Sequence, residues 1–200
     1  MPVHLQTAAH LSQLIEAGIS SLQWEKKSPI GLYEPMAYIL SLKGKRIRPV
    51  LALLAFQSFS QNPVENAIQT ALSFELFHNF TLMHDDIMDR APSRRGMPTV
   101  HVKWNEDIAI LAGDAMFAFC FGQMALEFPE KAGHLIPRFS KVALEVCEGQ
   151  MLDLQLAQQN VVIVPEYIEM IRKKTAVLLG GALYCGAIAG GSSVEDAERL

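Results

Sequence analysis

This 200-residue chain has no surplus of basic residues: 17 Lys and Arg stand against 21 Asp and Glu, giving a formal net charge of -4 and a pI near 5.9. Sequence-independent affinity for nucleic acid comes from excess positive charge, so no nucleic-acid partner is expected. Cysteine is scarce as well. Cys120, Cys147 and Cys185 are odd in number and widely spaced, which suggests neither a disulfide framework nor a zinc site and fits a reduced cytosol. The opening string MPVHLQTAAHLSQL lacks a basic region followed by an apolar core, so no signal peptide is read there and a cytoplasmic location is expected. No stretch alternates in the manner of a strand, and no long-period repeat is visible. What the chain does have is hydrophobic residues, half of the total, enough for one domain with a large core and too many for disorder.

That apolar content falls into helical patterns, so the expected fold class is all-α, a single-domain helical bundle. Thr7–Glu25 reads as an amphipathic surface helix. Leu32–Leu42 reads as a short helix closed by Gly44, and Pro49 as the first residue of the next, apolar helix. Pro63 opens a long helix that runs to Asp89. Apolar helices follow over Asp107–Phe128 and Pro137–Ala157, and one over Glu166–Ala189 is interrupted by Lys173, Lys174 and Thr175. Thr175–Val194 has no formal charge and is long enough to span a bilayer. Its five glycines dilute the hydrophobicity, however, and it reads better as a small-residue helix packed inside the domain, so no stable membrane insertion is expected.

The stretch from Phe74 to Arg95, FELFHNFTLMHDDIMDRAPSRR, passes from an apolar run into carboxylates and then into paired arginines. On an ideal helix His78, Asp85 and Asp89 lie within roughly 40° of one another, with Asp86 about 60° from Asp89. Clustered like charges beside Leu82, Ile87 and Met88 are unfavourable unless a cation joins them. Oxygen ligands without cysteine suit Mg²⁺, which completes its shell with water and phosphate oxygens. The cations in GKRIRPVL, Lys45, Arg46 and Arg48, crowd the start of a helix, where the macrodipole disfavours them unless an anion arrives. By themselves, an acidic helix end and a solvated basic loop remain open as plainer readings.

Taken together, GKRIRPVL, HNFTLMHDDIMD, RRGMPTVH, GQMLDL and KKTAVLL, in that order between Leu42 and Leu179, resemble the motifs of the trans-isoprenyl diphosphate synthases, the polyprenyl synthetase family of farnesyl and geranylgeranyl diphosphate synthases. The resemblance implies an isoprenoid-synthase bundle around a deep apolar pocket. It makes Asp85 and Asp89 ligands of Mg²⁺, with Asp86 supporting them. Arg94 would hold an allylic diphosphate, and Lys45, Arg48, His78 and Arg95 would hold isopentenyl diphosphate. Lys174, Thr175 and Gln150 would lie near the reacting carbons and leaving group, while Asp153 matches a motif without an evident role. Phe80 and Thr81 would set the length of a farnesyl or geranylgeranyl product. Helix geometry alone points to Thr81, and Met116 on the neighbouring helix is a further candidate.

The implied reaction is head-to-tail condensation by a Mg²⁺-dependent prenyltransferase, working as a homodimer. The family's second aspartate-rich motif is not found after Leu179, and a helix beginning at Ser193 is cut short at Leu200. The expectation is therefore one domain, residues 1–200, lacking its C-terminal part. A catalytically inactive regulatory subunit and a class I terpene cyclase are the alternatives, but a cyclase would have no use for a second cationic set at Lys45, Arg48 and Arg95.

Overall fold

The computed structural model describes residues 7–200. Helix α1 (Ala8–Ser21) begins at Thr7, whose hydroxyl accepts from the His10 N–H, and ends short of the expected Glu25 because Gln23 adopts a left-handed conformation before a 3₁₀ turn. Helices α2 (Ile30–Ser41) and α3 (Ile47–Phe59) follow. Gly44 does not cap α2, which stops at an extended Leu42. Pro49 is the third residue of α3 rather than the first, still within the turn where a missing N–H costs nothing.

After a 3₁₀ turn at Val64–Ala67 comes α4 (Ile68–Met88), in which every residue from Thr70 to Phe77 is buried. A helix wrapped on all sides needs its end groups satisfied by protein, and Ala67 has no side chain to do it. The carboxylate of Glu127, at the far end of α6 (Glu106–Glu127), accepts from the Gln69 and Thr70 N–H groups at 2.8 and 2.6 Å. It caps α4 from another helix. Between these two helices lie a two-residue β1–β2 hairpin (Ser93–Arg94 with Met97–Pro98), the only strand pairing among the described residues, and the short α5 (Val100–Lys103). Strand alternation could not reveal the hairpin because each strand is only two residues long.

Helix α7 (Ala132–Leu156) starts a turn and a half earlier than expected and carries Pro137 inside it. The long helix expected over Glu166–Ala189 is three pieces: α8 (Val164–Ile171), a π-helical segment (Arg172–Ala176) and α9 (Val177–Gly190). A short α10 (Val194–Glu198) begins at Ser193, whose Oγ accepts from the Asp196 N–H.

Two long pairings build the core, α4 along α6 and α3 along α9. The glycines that dilute α9 serve the second: a Cβ on Gly186 would lie 2.0 Å from the Ala52 carbonyl oxygen, so the backbones touch only because it is absent. The middle of the apolar stretch at Thr175–Val194 is thus interior, with nine buried residues in α9 between Leu178 and Ala189, while its two ends are exposed. Among the described residues, the helix long and apolar enough to cross a membrane is instead α6, and only a third of its most apolar window is buried. Beneath the end of α4, Phe74, Phe77, Phe121 and Phe139 interlock mostly edge to face at 5.1–5.4 Å, forming the apolar base on which the site stands.

Candidate active site

Helix α4 ends in a Schellman motif: the Ala91 N–H donates to the Asp86 carbonyl at 2.9 Å and the Arg90 N–H to that of Ile87 at 3.1 Å, with Arg90 at φ +51° where glycine is usual. This turn sends the chain back into the hairpin, whose Arg95–Gly96 loop has both residues at positive φ, as a type I′ turn requires. Arg94 therefore comes back to α4 and grips Asp86, Nε to Oδ2 and Nη2 to Oδ1, both at 2.8 Å. Asp86 is buried, and both its oxygens are occupied. It supports the motif by anchoring Arg94, whose Nη1 has no protein partner among the described residues.

Asp85 and Asp89, one turn apart, remain available. Burial pushes the Asp85 carboxyl above its usual pKa, with Asp89 and Asp86 adding to the shift and Lys174 and Arg94 opposing it. A partly desolvated carboxylate beside a second one is short of positive charge, which is the condition a Mg²⁺ ion relieves. Among the described residues no three His, Cys, Asp or Glu side chains form a complete cage. Mg²⁺ does not need one, since it is held through one or two carboxylates plus water and phosphate. The donor set fits.

A cationic cavity of about 520 Å³ opens between the α2–α3 loop and the hairpin, lined by Lys43, Lys45, Arg48, His78 and Arg95 with Arg46 and Glu75 in its wall. Arg95 is aimed inward: its Nη1 donates to the Leu42 carbonyl at 2.8 Å, in space that a Cβ on Gly44 would invade at 2.9 Å. Arg46, in a left-handed conformation at the start of α3, is not a free cation. It donates to Glu16 (2.7 Å), Glu75 (2.6 Å) and the Leu40 carbonyl (2.7 Å), tying α1, α2 and α4 together. Burial works against its charge, but the two carboxylates more than offset that and raise its pKa. Arg48 is the reverse case. Burial lowers its pKa with only Glu75 opposing, and its Nε is buried with no partner. An unsatisfied guanidinium walled into a cavity is an anion site waiting for its anion.

His78 and Arg48 also line a second, mostly apolar cleft of about 350 Å³, so the two cavities meet at these residues. Burial, then Arg48, Arg95, Arg94 and Arg46, push the His78 imidazole down to about 3, and it is neutral at physiological pH. The mouth of the cleft carries Asp85, Gln150, Lys174 and Thr175, and its walls hold Phe80, Thr81 and Leu178. Phe80 stacks on Phe117 of α6 at 5.2 Å and meets His84 edge-on at 4.7 Å. Phe117, not Met116, is the α6 residue against Phe80. Met116 sits on the fully buried side of α6, away from the cleft lining. Thr81 lines the same cleft, but its hydroxyl is spent on the His78 carbonyl at 2.8 Å. Asp114 stands exposed on α6, 3.8 Å from His84. The Lys174 ammonium pairs with Asp153 at 2.5 Å. Sequence reasoning passed over Glu75, although a carboxylate in the middle of an apolar helix was the available signal.

The geometry has a clear parallel. Residues 30–200 match the polyprenyl synthetase family model. The chain belongs to that family. It is 43% identical over 174 residues to the geranylgeranyl diphosphate synthase of Methanosarcina mazei, covering 86% of this chain and 53% of that protein. It is 34% identical over 215 aligned positions to the geranylfarnesyl diphosphate synthase of Natronomonas pharaonis, covering 98% of this chain and 63% of that protein. A crystal structure of a geranylgeranyl pyrophosphate synthase superposes with a TM-score of 0.91 at 42% identity, over 96% of this chain and 58% of that one. The chain thus spans a little over half the length of the curated relatives it matches.

Proposed function

We propose that the protein is a prenyltransferase that condenses an allylic diphosphate with isopentenyl diphosphate head to tail, as the named activities of its relatives suggest. The observation that carries this reading is the junction of two cavities, one cationic and one mostly apolar with the Asp85 carboxylate in its lining, through the shared walls of Arg48 and His78. Two diphosphates need two charged sites, whereas a cyclase acting on one diphosphate would leave the cationic cavity without a purpose.

Lys45, Arg48 and Arg95 bind the isopentenyl diphosphate as two planar guanidinium forks and a point charge, with neutral His78 contributing a hydrogen bond. The allylic diphosphate lies at the mouth of the apolar cleft, where Asp85 and Asp89 hold Mg²⁺ and the free Nη1 of Arg94 and the Lys174 ammonium reach its oxygens. Asp85 and Asp89 would hold Mg²⁺, which when bound would supply positive charge to offset that developing on the leaving diphosphate. The C1–O bond of the allylic substrate breaks, the isopentenyl double bond attacks C1, and a proton leaves isopentenyl C2 to the departing diphosphate. Gln150 and Thr175 flank the reacting carbons, and the apolar walls exclude water that would trap the cation. Phe80, backed by Phe117, closes the tail cleft. We assign a geranylgeranyl product, the longer of the two lengths expected and within the range of the relatives' names. We also propose a homodimer formed through the exposed side of α6.

Incubation of the protein with Mg²⁺, labelled isopentenyl diphosphate and farnesyl diphosphate should yield a longer prenyl diphosphate, read by chromatography after dephosphorylation. Binding of Mg²⁺ and both diphosphates without turnover would support the regulatory-subunit reading instead. Turnover of the allylic substrate alone to a hydrocarbon would favour the cyclase.

A further inference from the structure

Lys174 and Thr175 lie in a π-helical segment, a form that is rare and concentrated at functional sites because the extra residue per turn re-aims side chains. That segment is pinned to α7 by three ion pairs: Arg172 with Glu145 at 3.5 Å, Lys173 with Glu148 at 2.6 Å and Lys174 with Asp153 at 2.5 Å. In the middle of this run α7 has Gly149, where a Cβ would lie 2.2 Å from the Lys174 backbone nitrogen and 2.6 Å from its Cα. The backbone of the π segment therefore rests directly on α7. The first two pairs are at the surface and contribute little. The third pair is exposed to a similar degree, 29% and 39% for Lys174 and Asp153, but it alone holds a side chain that lines the cleft which Asp85 also lines.

We propose that Asp153 and Gly149 are positioning residues for Lys174 and Thr175: Gly149 sets how closely the π segment approaches α7, and Asp153 fixes the Lys174 ammonium at the cleft mouth, where it meets the allylic diphosphate. This inference rests on the prenyltransferase reading. A lysine on a flexible stem meets an anion well only when its head is already directed there. Asp153 needs no contact with substrate to matter.

The test is calorimetric titration with Mg²⁺ and inorganic pyrophosphate, joined by steady-state kinetics. Asp153→Asn should weaken pyrophosphate binding about tenfold, the loss of one charge-assisted contact, and should raise KM for the allylic substrate more than it lowers kcat. Asp153→Glu, which keeps the charge, should recover most of the binding. In a Lys174→Ala background Asp153→Asn should change nothing further, since its effect passes through that lysine. Gly149→Ala should weaken pyrophosphate to a similar extent while far-UV helicity is retained.

Unaltered or tighter binding in Asp153→Asn would overturn the inference by showing that Asp153 only competes with the diphosphate for Lys174. Full additivity of the two losses in the double variant would overturn it too. If Lys174→Ala weakens pyrophosphate and Asp153→Asn does not, positioning alone is wrong. If Lys174→Ala itself has no effect, the placement of a diphosphate at this cleft is wrong, and the positioning role falls with it.

Discussion

Arg94 clasps Asp86 with two parallel bonds of 2.8 Å, which divides the three aspartates of the acidic motif into one structural residue and two free ones. Removing Asp86 discards two charge-assisted bonds and leaves Arg94, about a quarter exposed, without its partner, at a cost of about 2 kcal/mol. Asp86→Ala should therefore lower the urea midpoint well below that of the parent. Asp89→Ala, at an exposed position, should leave the midpoint nearly unchanged and abolish Mg²⁺-dependent diphosphate binding. Equal midpoints for the two variants would contradict this division.

The same contrast separates neighbouring arginines of the α2–α3 loop. Arg46→Ala leaves the buried Glu75 carboxylate without its guanidinium partner and frees the half-exposed Glu16, and should destabilise the fold by about 3–5 kcal/mol. Arg48→Met, which removes a partly buried guanidinium with a buried, unpartnered Nε, should raise the melting temperature while weakening isopentenyl diphosphate binding. Lys45→Ala, at an exposed position, should leave the melting temperature alone and raise KM for isopentenyl diphosphate more than for the allylic substrate. A destabilised Arg48→Met would mean that its stem packing outweighs its buried charge.

His78 makes the fold sensitive to mild acid. Its pKa is about 3 in the folded protein and near 6.5 when unfolded, so between these values the unfolded state binds the extra proton. Its contribution to stability is complete above pH 6.5 and is lost progressively as pH falls toward 3. From pH 7 to pH 5 the loss is about 2 kcal/mol. Chemical denaturation across that range should show His78→Gln losing correspondingly less. Parallel pH profiles would mean the imidazole is solvated and charged.

Product length should respond to Phe80. Phe80→Ala should lengthen the product by at least one five-carbon unit, because each methylene buried in an apolar pocket contributes about 0.8 kcal/mol. The gain should be larger when Phe117, stacked directly behind it, is also replaced by alanine. An unchanged distribution in both variants would move the floor to Thr81.

The outer face of α6 exposes Leu111 and Leu126, 60% and 77% accessible, on a helix with few polar residues. Light scattering at micromolar concentration should give a dimer mass, and Leu111→Glu combined with Leu126→Glu should reduce it to a monomer with its helicity intact. A monomeric parent would refute the proposed assembly.

The sequence by itself determined what depends on neighbours along one helix. Spacing placed Asp85 and Asp89 on one face, the apolar run marked α4 as interior, and the small residues of α9 announced close packing. The five ordered motifs were enough to indicate the family. It did not tell Arg46 from Arg48, because one faces Glu16 and Glu75 and the other a cavity, and that difference depends on where α1 and α4 lie relative to the loop. Nor did it show that Asp86 belongs to Arg94, that Phe117 rather than Met116 backs Phe80, or that a π segment turns Lys174 toward Asp153. Each of these is a pairing between residues distant in the chain, selected by how whole helices pack. Periodicity records only which face of a helix is apolar; which partner that face meets, and so the burial and charge around each side chain, was decided by the tertiary structure.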